Sequence, residues 1–297
     1  MAVALAQDGS FGFAIQTQKG TFTTPDTWLP VTDAQESIEL QKNYITLDMA
    51  DTNQYENKYL SAGEWAEGKI IVPVIPGVVS NLLSWVQDRD SYNQGKWASL
   101  LIDCVNEIKK LTDAKIRTAT FDFVKASPVT CTLDVAALHM EAGTSASPVM
   151  PATAPYIYQE ADVELATGGG ALAEDVNCEA ISITIDNMVE DCADGMRLAA
   201  SGEPLQLYNT AGCRVRGSLS RDFVDNAVYA DFADGEEAAL TITLQRGANT
   251  ASLALPRVLY TRDSLGLPAS HSRRIRETVG FIALGSTDGE TAPITLA

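Results

Sequence analysis

In EAISITIDNMVED, residues 179–191, Ile181, Ile183 and Ile185 alternate with Ser182, Thr184 and Asp186. A period of two places the isoleucines on one face of a pleated strand and the polar residues on the other. After a long loop, RVRGSLSR (214–221) alternates again, with Val215, Gly217 and Leu219 opposite Arg214, Arg216 and Ser218. The period then changes over residues 220–233. There Phe223, Ala227 and Ala230, flanked by Val224 and Phe232, predict one short amphipathic helix, stopped at Asp234-Gly235. From Ala238 to Gln245, Leu240, Ile242 and Leu244 alternate with Thr241, Thr243 and Gln245, so the chain returns to a sheet. A lone helix crossing between strands marks a mainly β unit.

The same order of elements is readable upstream. Phe11–Gly20 and Glu36–Leu40 alternate as strands, and residues 48–68 are polar and longer than an ordinary connection, which predicts an extended loop. Lys69–Gly77 is a β-rich run broken by two prolines, so it belongs at a sheet edge or strand end. Residues 77–90 turn helical, with Val78, Leu82, Leu83, Trp85 and Val86 on one side. Strands follow at Trp97–Val105, Ile116–Lys125 and Val129–Met140. After small and proline-rich residues (GTSASPVMPATAP), the second half supplies a strand at Ile157–Ala166, a turn at Gly168–Gly170, a long loop at Asn187–Gly212, and strands at Ala251–Tyr260 and Thr278–Leu284; Thr261–His271 reads as a loop. AEGKIIV (66–72) before the first helix parallels AGCRVRG (211–217) before the second. The expected organisation is a tandem duplication of a β-sandwich or partial barrel, each copy with one flanking helix: residues 1–145, a linker at 146–155, and residues 156–297.

The chain's 297 residues carry 21 Lys+Arg against 39 Asp+Glu, a net charge of −18. Such a balance argues against a general nucleic-acid or anionic-membrane binder, whose faces are basic. Its simplest reading is solubility, and a sharper one is a surface that nucleic acid passes without sticking. The cysteines at 104, 131, 178, 192 and 213 form no CxxC pair, which fits reduced thiols in a protein made in the cytoplasm rather than a disulfide framework or zinc site. With two histidines, His139 and His271, neither a histidine metal site nor a histidine triad is supported. The opening MAVALA lacks a basic region, and no apolar run reaches membrane-spanning length. Gly168–Gly170 lacks the spacing of a phosphate loop, the acidic residues 186–194 lack the calcium-loop order, and Ser218 and Ser220 lack a nucleophile elbow. No catalytic residue, cofactor or metal is expected.

Residues that stand out are candidates for contact instead. Trp28 and Trp65 are aromatics in stretches that read as polar loops. Tyr55 and Tyr59 in the first long loop, and Met188, Val189, Met196 and Leu198 in the second, are embedded in polar sequence. Arg273, Arg274 and Arg276 form the one dense basic cluster; a solvated strand edge is its plainest role, and contact with an acidic neighbour the next. For the loop residues the plain alternative is packing against their own half.

Several segments together resemble one family. Phe11-Gly-Phe, KGTFTTP (19–25), AEGKIIVPVIPG (66–77), ISITIDN (181–187), RVRGSLSRDF (214–223) and VYADFADGEEAALTITL (228–244) look like the major tail tube proteins of long-tailed bacteriophages. The resemblance implies sheets that join between neighbouring subunits into a β-lined ring, with rings stacked through loops and terminal arms into a hollow tube that conducts DNA. It implies a homo-oligomer in the virion tail, made in the host cytoplasm, with tail terminator, tape measure and tail-tip proteins as partners and no membrane. A duplicated chain suits a trimeric ring of six pseudo-equivalent domains, and a hexamer of an elaborated single unit is the other symmetry. The polar faces of 181–186 and 238–245 would line a wet lumen, where acidic charge lets DNA slide. A head-decoration or adhesin-like β module is the competing expectation, and a carbohydrate-active sandwich with paired carboxylates a distant third.

Overall fold

The computed structural model describes residues 9–31, 38–46, 59–103, 107–144, 148–167, 169–197, 202–266, 274–287 and 291–297. The first half contains β1 (Ser10–Ile15), β2 (Thr27–Pro30), β3 (Glu39–Thr46), β4 (Tyr59–Pro73), α1 (Val79–Gln87), β5 (Ala98–Asp103), β6 (Ile108–Val124) and β7 (Thr130–Ala142). The second contains β8 (Ala161–Ala166), β9 (Ala173–Glu174), β10 (Cys178–Asp186), β11 (Arg214–Asp222), α2 (Ala227–Asp234), β12 (Glu237–Arg246), β13 (Asn249–Gly266), β14 (Arg276–Ala283) and β15 (Thr295–Leu296). The fold is mainly β, and among the described residues every strand pairing is antiparallel.

Hydrogen-bonded neighbours run β3-β4-β7-β6-β5-β1-β2 in the first half and β10-β11-β14-β13-β12-β8-β9 in the second. Adding seven to each strand number of the first order gives the second. The helices obey the same rule, since α1 lies between β4 and β5 and α2 between β11 and β12. Two of the pairing irregularities also repeat. The β5–β6 ladder slips between Ala98 and Leu100 and the β12–β13 ladder between Ala238 and Leu240. The β6–β7 ladder slips between Ile116 and Thr118, and the β13–β14 ladder between Tyr260 and Arg262. Bulges of this kind redirect a strand at a fixed place, so shared positions give a residue-level alignment of the halves. In this alignment Gly68, facing Val135, corresponds to Gly217, facing Phe281.

Several boundaries differ from expectation for physical reasons. Residues 59–68 are strand, paired with β3 and joined to it by the Lys42–Glu64 ion pair at 3.1 Å; their apolar residues do not alternate regularly, so the sequence does not betray them. Residues 48–58 of that predicted loop lie outside the described residues. β6 begins at Ile108 and β13 continues to Gly266, because long strands here pair with successive partners along their length. β8 is preceded by a single 3₁₀ turn, Tyr158–Glu160. The second helix starts at Ala227 rather than Ser220, since Ser220–Asp222 stay in register with Thr278–Arg276 of β14 and Phe223 N–H donates to the Ile275 carbonyl. Its buried residues are consequently Val228 and Asp231, not Ala227 and Ala230. The stop is as expected: Gly235 caps it at φ +70°, a left-handed conformation suited to glycine. α1 buries Leu82, Leu83, Trp85 and Val86 together with Val79, and Trp85 stacks on Phe13 at 5.1 Å.

A continuous apolar cluster runs through both halves, from Phe11 and Leu82 through Phe121 and Ile183 to Leu240 and Phe281. The halves also share a ladder, β6 with β10. Tyr156 anchors the chain after the linker: its N–H donates to the Val74 carbonyl, its own carbonyl accepts from Val129 N–H, and its ring is buried.

Candidate functional site

The shared ladder creates one broad two-faced surface. Directly paired residues in an antiparallel sheet project to the same side, so rows can be followed from β4 through β7, β6 and β10 to β11. One row is Lys69, Asp134, Thr118, Asp186 and Arg214; the next is Ile71, Thr132, Thr120, Thr184 and Arg216; a third contains Thr130, Asp122, Ser182 and Ser218. Across the join the Thr120 and Thr184 hydroxyls lie 3.0 Å apart. The other side carries Leu133, Ala119 and Ile185, then Cys131, Phe121 and Ile183, all buried. The polar side is rich in Thr and Ser, and its Lys69, Arg214 and Arg216 are matched by Asp134, Asp122 and Asp186, so it holds no basic stripe.

A second surface lies at the end of the β3–β4 hairpin. Tyr44, Ile45, Tyr59 and Leu60 are exposed, and the Tyr44 and Tyr59 rings meet edge to face at 5.5 Å. Such a cluster of exposed apolar side chains is characteristic of a contact site. Sequence reading found Tyr59 but not Tyr44, Ile45 and Leu60; the usable signal was apolar residues at consecutive positions on a strand.

Over residues 6–293 the sequence matches the family described as phage tail tube protein. The chain belongs to the phage tail tube protein family. No curated protein sequence matches it. As a tail tube protein it is a structural component of the virion tail, and membership implies self-assembly into a tube together with other tail proteins. Among the described residues no helix is long and apolar enough to cross a membrane.

The long second loop of this tail tube protein is docked on the first half. Lys115, buried on β6, donates from Nζ to the Leu207 carbonyl at 2.7 Å and to Asn209 Oδ1 at 3.0 Å, and lies 4.5 Å from the Trp97 ring centroid. Burial, aided by Arg89, lowers its pKa to about 8. Asn187 Nδ2 donates to the Val86 and Ile116 carbonyls, each at 3.1 Å, and Glu64 N–H donates to the Gly202 carbonyl. Cys192 and Leu207 form a small buried cluster with Ala136 and Leu138, and Trp65, Trp97 and Val189 pack on it.

The candidate contact residues therefore divide. Trp28 is in β2 and Trp65 in β4, neither in a loop. Trp28 is 6 % exposed and covers Gly12, where an added Cβ would lie 2.7 Å from Trp28 Cε3. Met188, Val189 and Met196 are half-buried in the docked loop, while Tyr59 is 70 % exposed. Arg274 pairs with Asp222 at 2.6 Å and Arg276 with Glu179 at 2.9 Å, both arginines remaining well exposed. Tyr55, Leu198 and Arg273 lie outside the described residues. Four cysteines, Cys131, Cys178, Cys192 and Cys213, are free thiols. Burial pushes Cys178 up to about 12 and Cys192 to about 11, against the thiolate form.

A buried ionic group lies in the second half. Arg221 on β11 stands 3.3 Å from Asp175 and 3.5 Å from Glu277 of β14. Burial, with the neighbouring Asp263 carboxylate next, raises Glu277 to about 7, against the opposing pull of Arg221. The aligned positions in the first half are Val72, Cys131 and, for Asp263, Ala119, so the first half carries buried apolar residues where this site carries charges.

Proposed function

We propose that three copies of this chain form a ring of six pseudo-equivalent β units, and that rings stack into the hollow tube through which the phage genome is ejected. The repeated strand order, down to its bulges, carries this reading. On this reading one chain holds two units, 1–145 and 156–297, joined by 146–155, and the β6–β10 ladder between the halves supports a side-by-side arrangement. A head-to-tail relation of this kind, repeated, generates a closed ring when its rotation closes.

The Thr/Ser-rich sheet face supports a wet lumen that makes no tight phosphate contacts, and the net charge of −18 adds general repulsion of DNA. The role is structural rather than catalytic. The exposed Tyr44, Ile45, Tyr59 and Leu60 suit contacts between successive rings; tail terminator, tape measure and tail-tip proteins are the partners at the tube ends. Negative-stain electron microscopy of the purified protein, concentrated over a salt series, tests the reading. Hollow tubes with three-fold rings support it, six-fold rings of single units overturn the symmetry, and a closed non-stacking oligomer favours a decoration or adhesin role.

A further inference from the structure

We infer that the ring is closed by β3 of one copy adding to the C-terminal part of β13 of the next, in the register that β10 already makes with β6 inside each chain. This rests on the tube reading and assigns the strands that carry it.

β6 changes partners along one edge. Residues Ala98–Asp103 of β5 pair with its first part, and β10 pairs with Thr118–Val124, while β7 occupies the opposite edge. β13 is the counterpart of β6 by strand order and by both bulges. Its first part pairs with β12 and its last part, Arg262–Gly266, with β14. On the edge away from β14, this last part carries no strand among the described residues. The consequence is visible in burial: Phe121, which faces β10, is 1 % exposed, whereas its counterpart Leu265 is 45 % exposed.

β3 is the matching edge. It pairs with β4 as β10 pairs with β11, and its other edge carries no strand among the described residues. Leu40 faces Ala66 and Ile185 faces Val215, two residues before the corresponding Gly68 and Gly217, so Leu40 corresponds to Ile185. The sequences agree: SIELQ (37–41) lies against SITID (182–186). Two open strand edges of one molecule, matching the two sides of a ladder it already contains, are templates for each other.

The internal register then fixes the external one. Ile183 opposite Phe121 becomes Ile38 opposite Leu265, Thr184 opposite Thr120 becomes Glu39 opposite Ser264, and Asp186 opposite Thr118 becomes Gln41 opposite Arg262. The pairing covers Leu265 and sets no like charges face to face.

Disulfide trapping tests the assignment. The pair Glu39→Cys with Ser264→Cys takes the places of Thr184 and Thr120, whose hydroxyls touch. Under mild oxidation of protein that shows rings or tubes by microscopy, it should give covalent dimers and trimers on denaturing gels. Each single variant should not, nor should Glu39→Cys with Asp263→Cys, where the side chains point to opposite faces. Thr120→Cys with Thr184→Cys should close within one chain, confirming the template. Leu265→Asp should abolish rings while leaving the unfolding curve of the monomer unchanged. Rings or tubes without the 39–264 cross-link overturn the strand assignment and leave the tube reading standing; a protein that stays monomeric at all concentrations overturns both.

Discussion

Ile183 of β10 lies directly opposite Phe121 of β6, and both side chains are buried in the cluster shared by the two halves. The pair bridges residues from either side of the linker, so it ties the stability of one half to that of the other. Truncation to alanine leaves a cavity at that join.

Phe121→Ala or Ile183→Ala is expected to destabilise the chain by about 2–5 kcal/mol. Urea denaturation followed by fluorescence and circular dichroism should still give a single transition at lower midpoint. Two separated transitions would show that the halves unfold independently and that the join contributes little.

Gly217 is placed where a side chain does not fit. An added Cβ would come within 2.4 Å of Phe281 Cζ and 2.5 Å of the Ser182 carbonyl oxygen. The ring can turn aside, but the carbonyl is held in the β10–β11 ladder. Gly217→Ala is therefore expected to cost about 1–3 kcal/mol, read as a lower thermal midpoint. An unchanged midpoint would mean that the ladder yields more readily than its pairing indicates.

Lys115 fixes the docked loop. Lys115→Met removes the donor to Leu207 and Asn209 and should cost about 1–3 kcal/mol, with faster proteolysis within 187–212. The native lysine, with a pKa of about 8 against an ordinary 10.5, binds fewer protons folded than unfolded between those values. Its contribution makes stability rise with pH across that window. The variant should lose this rise, and persistence of the full slope would show that another group produces it.

Glu277 works in the opposite sense. Its pKa is raised from 4.5 to about 7, so the folded state holds a proton that the unfolded state releases. Its contribution is present below about pH 4.5 and lost as pH rises through 7, by at most about 3 kcal/mol at about 1.4 kcal/mol per unit. Asp263, Arg221 and Asp225 are the charges that act on it. Glu277→Gln should flatten the fall in unfolding free energy between pH 4.5 and 7, leaving the variant the more stable protein at pH 8.

The sequence makes the strands with one apolar face plain, and the helices with them: Ile181, Ile183 and Ile185 mark β10, and Leu82 with Trp85 mark α1. It conceals β3 and β4 beyond Lys42 and Glu64, because a hairpin that stands away from the core has no buried side to reveal. It also conceals the alignment of the halves. That alignment lives in backbone irregularities at Ala98 and Ala238, where pairing slips without any demand on side-chain identity. Trp28 misleads for a related reason: Thr, Pro and Asp surround it in sequence, while Gly12 supplies its space from another strand. Tyr44 and Leu60 become visible as one surface only when the hairpin sets them on neighbouring strands. The ionic group around Arg221 has no local signature at all, since its members come from separate strands and from Asp175.

The β6–β10 ladder also bears on how assembly starts. In the proposed ring of three chains, fusing two units would make every second junction during folding, under an effective concentration on the order of millimolar for a short tether. Only the remaining junctions depend on encounters between chains. A ring of three such chains loses the translational freedom of three bodies rather than six, and an odd number of units cannot arise. Under that proposal the repeat would act as a counting device: the parity of the ring would be written into the chain before any two copies meet.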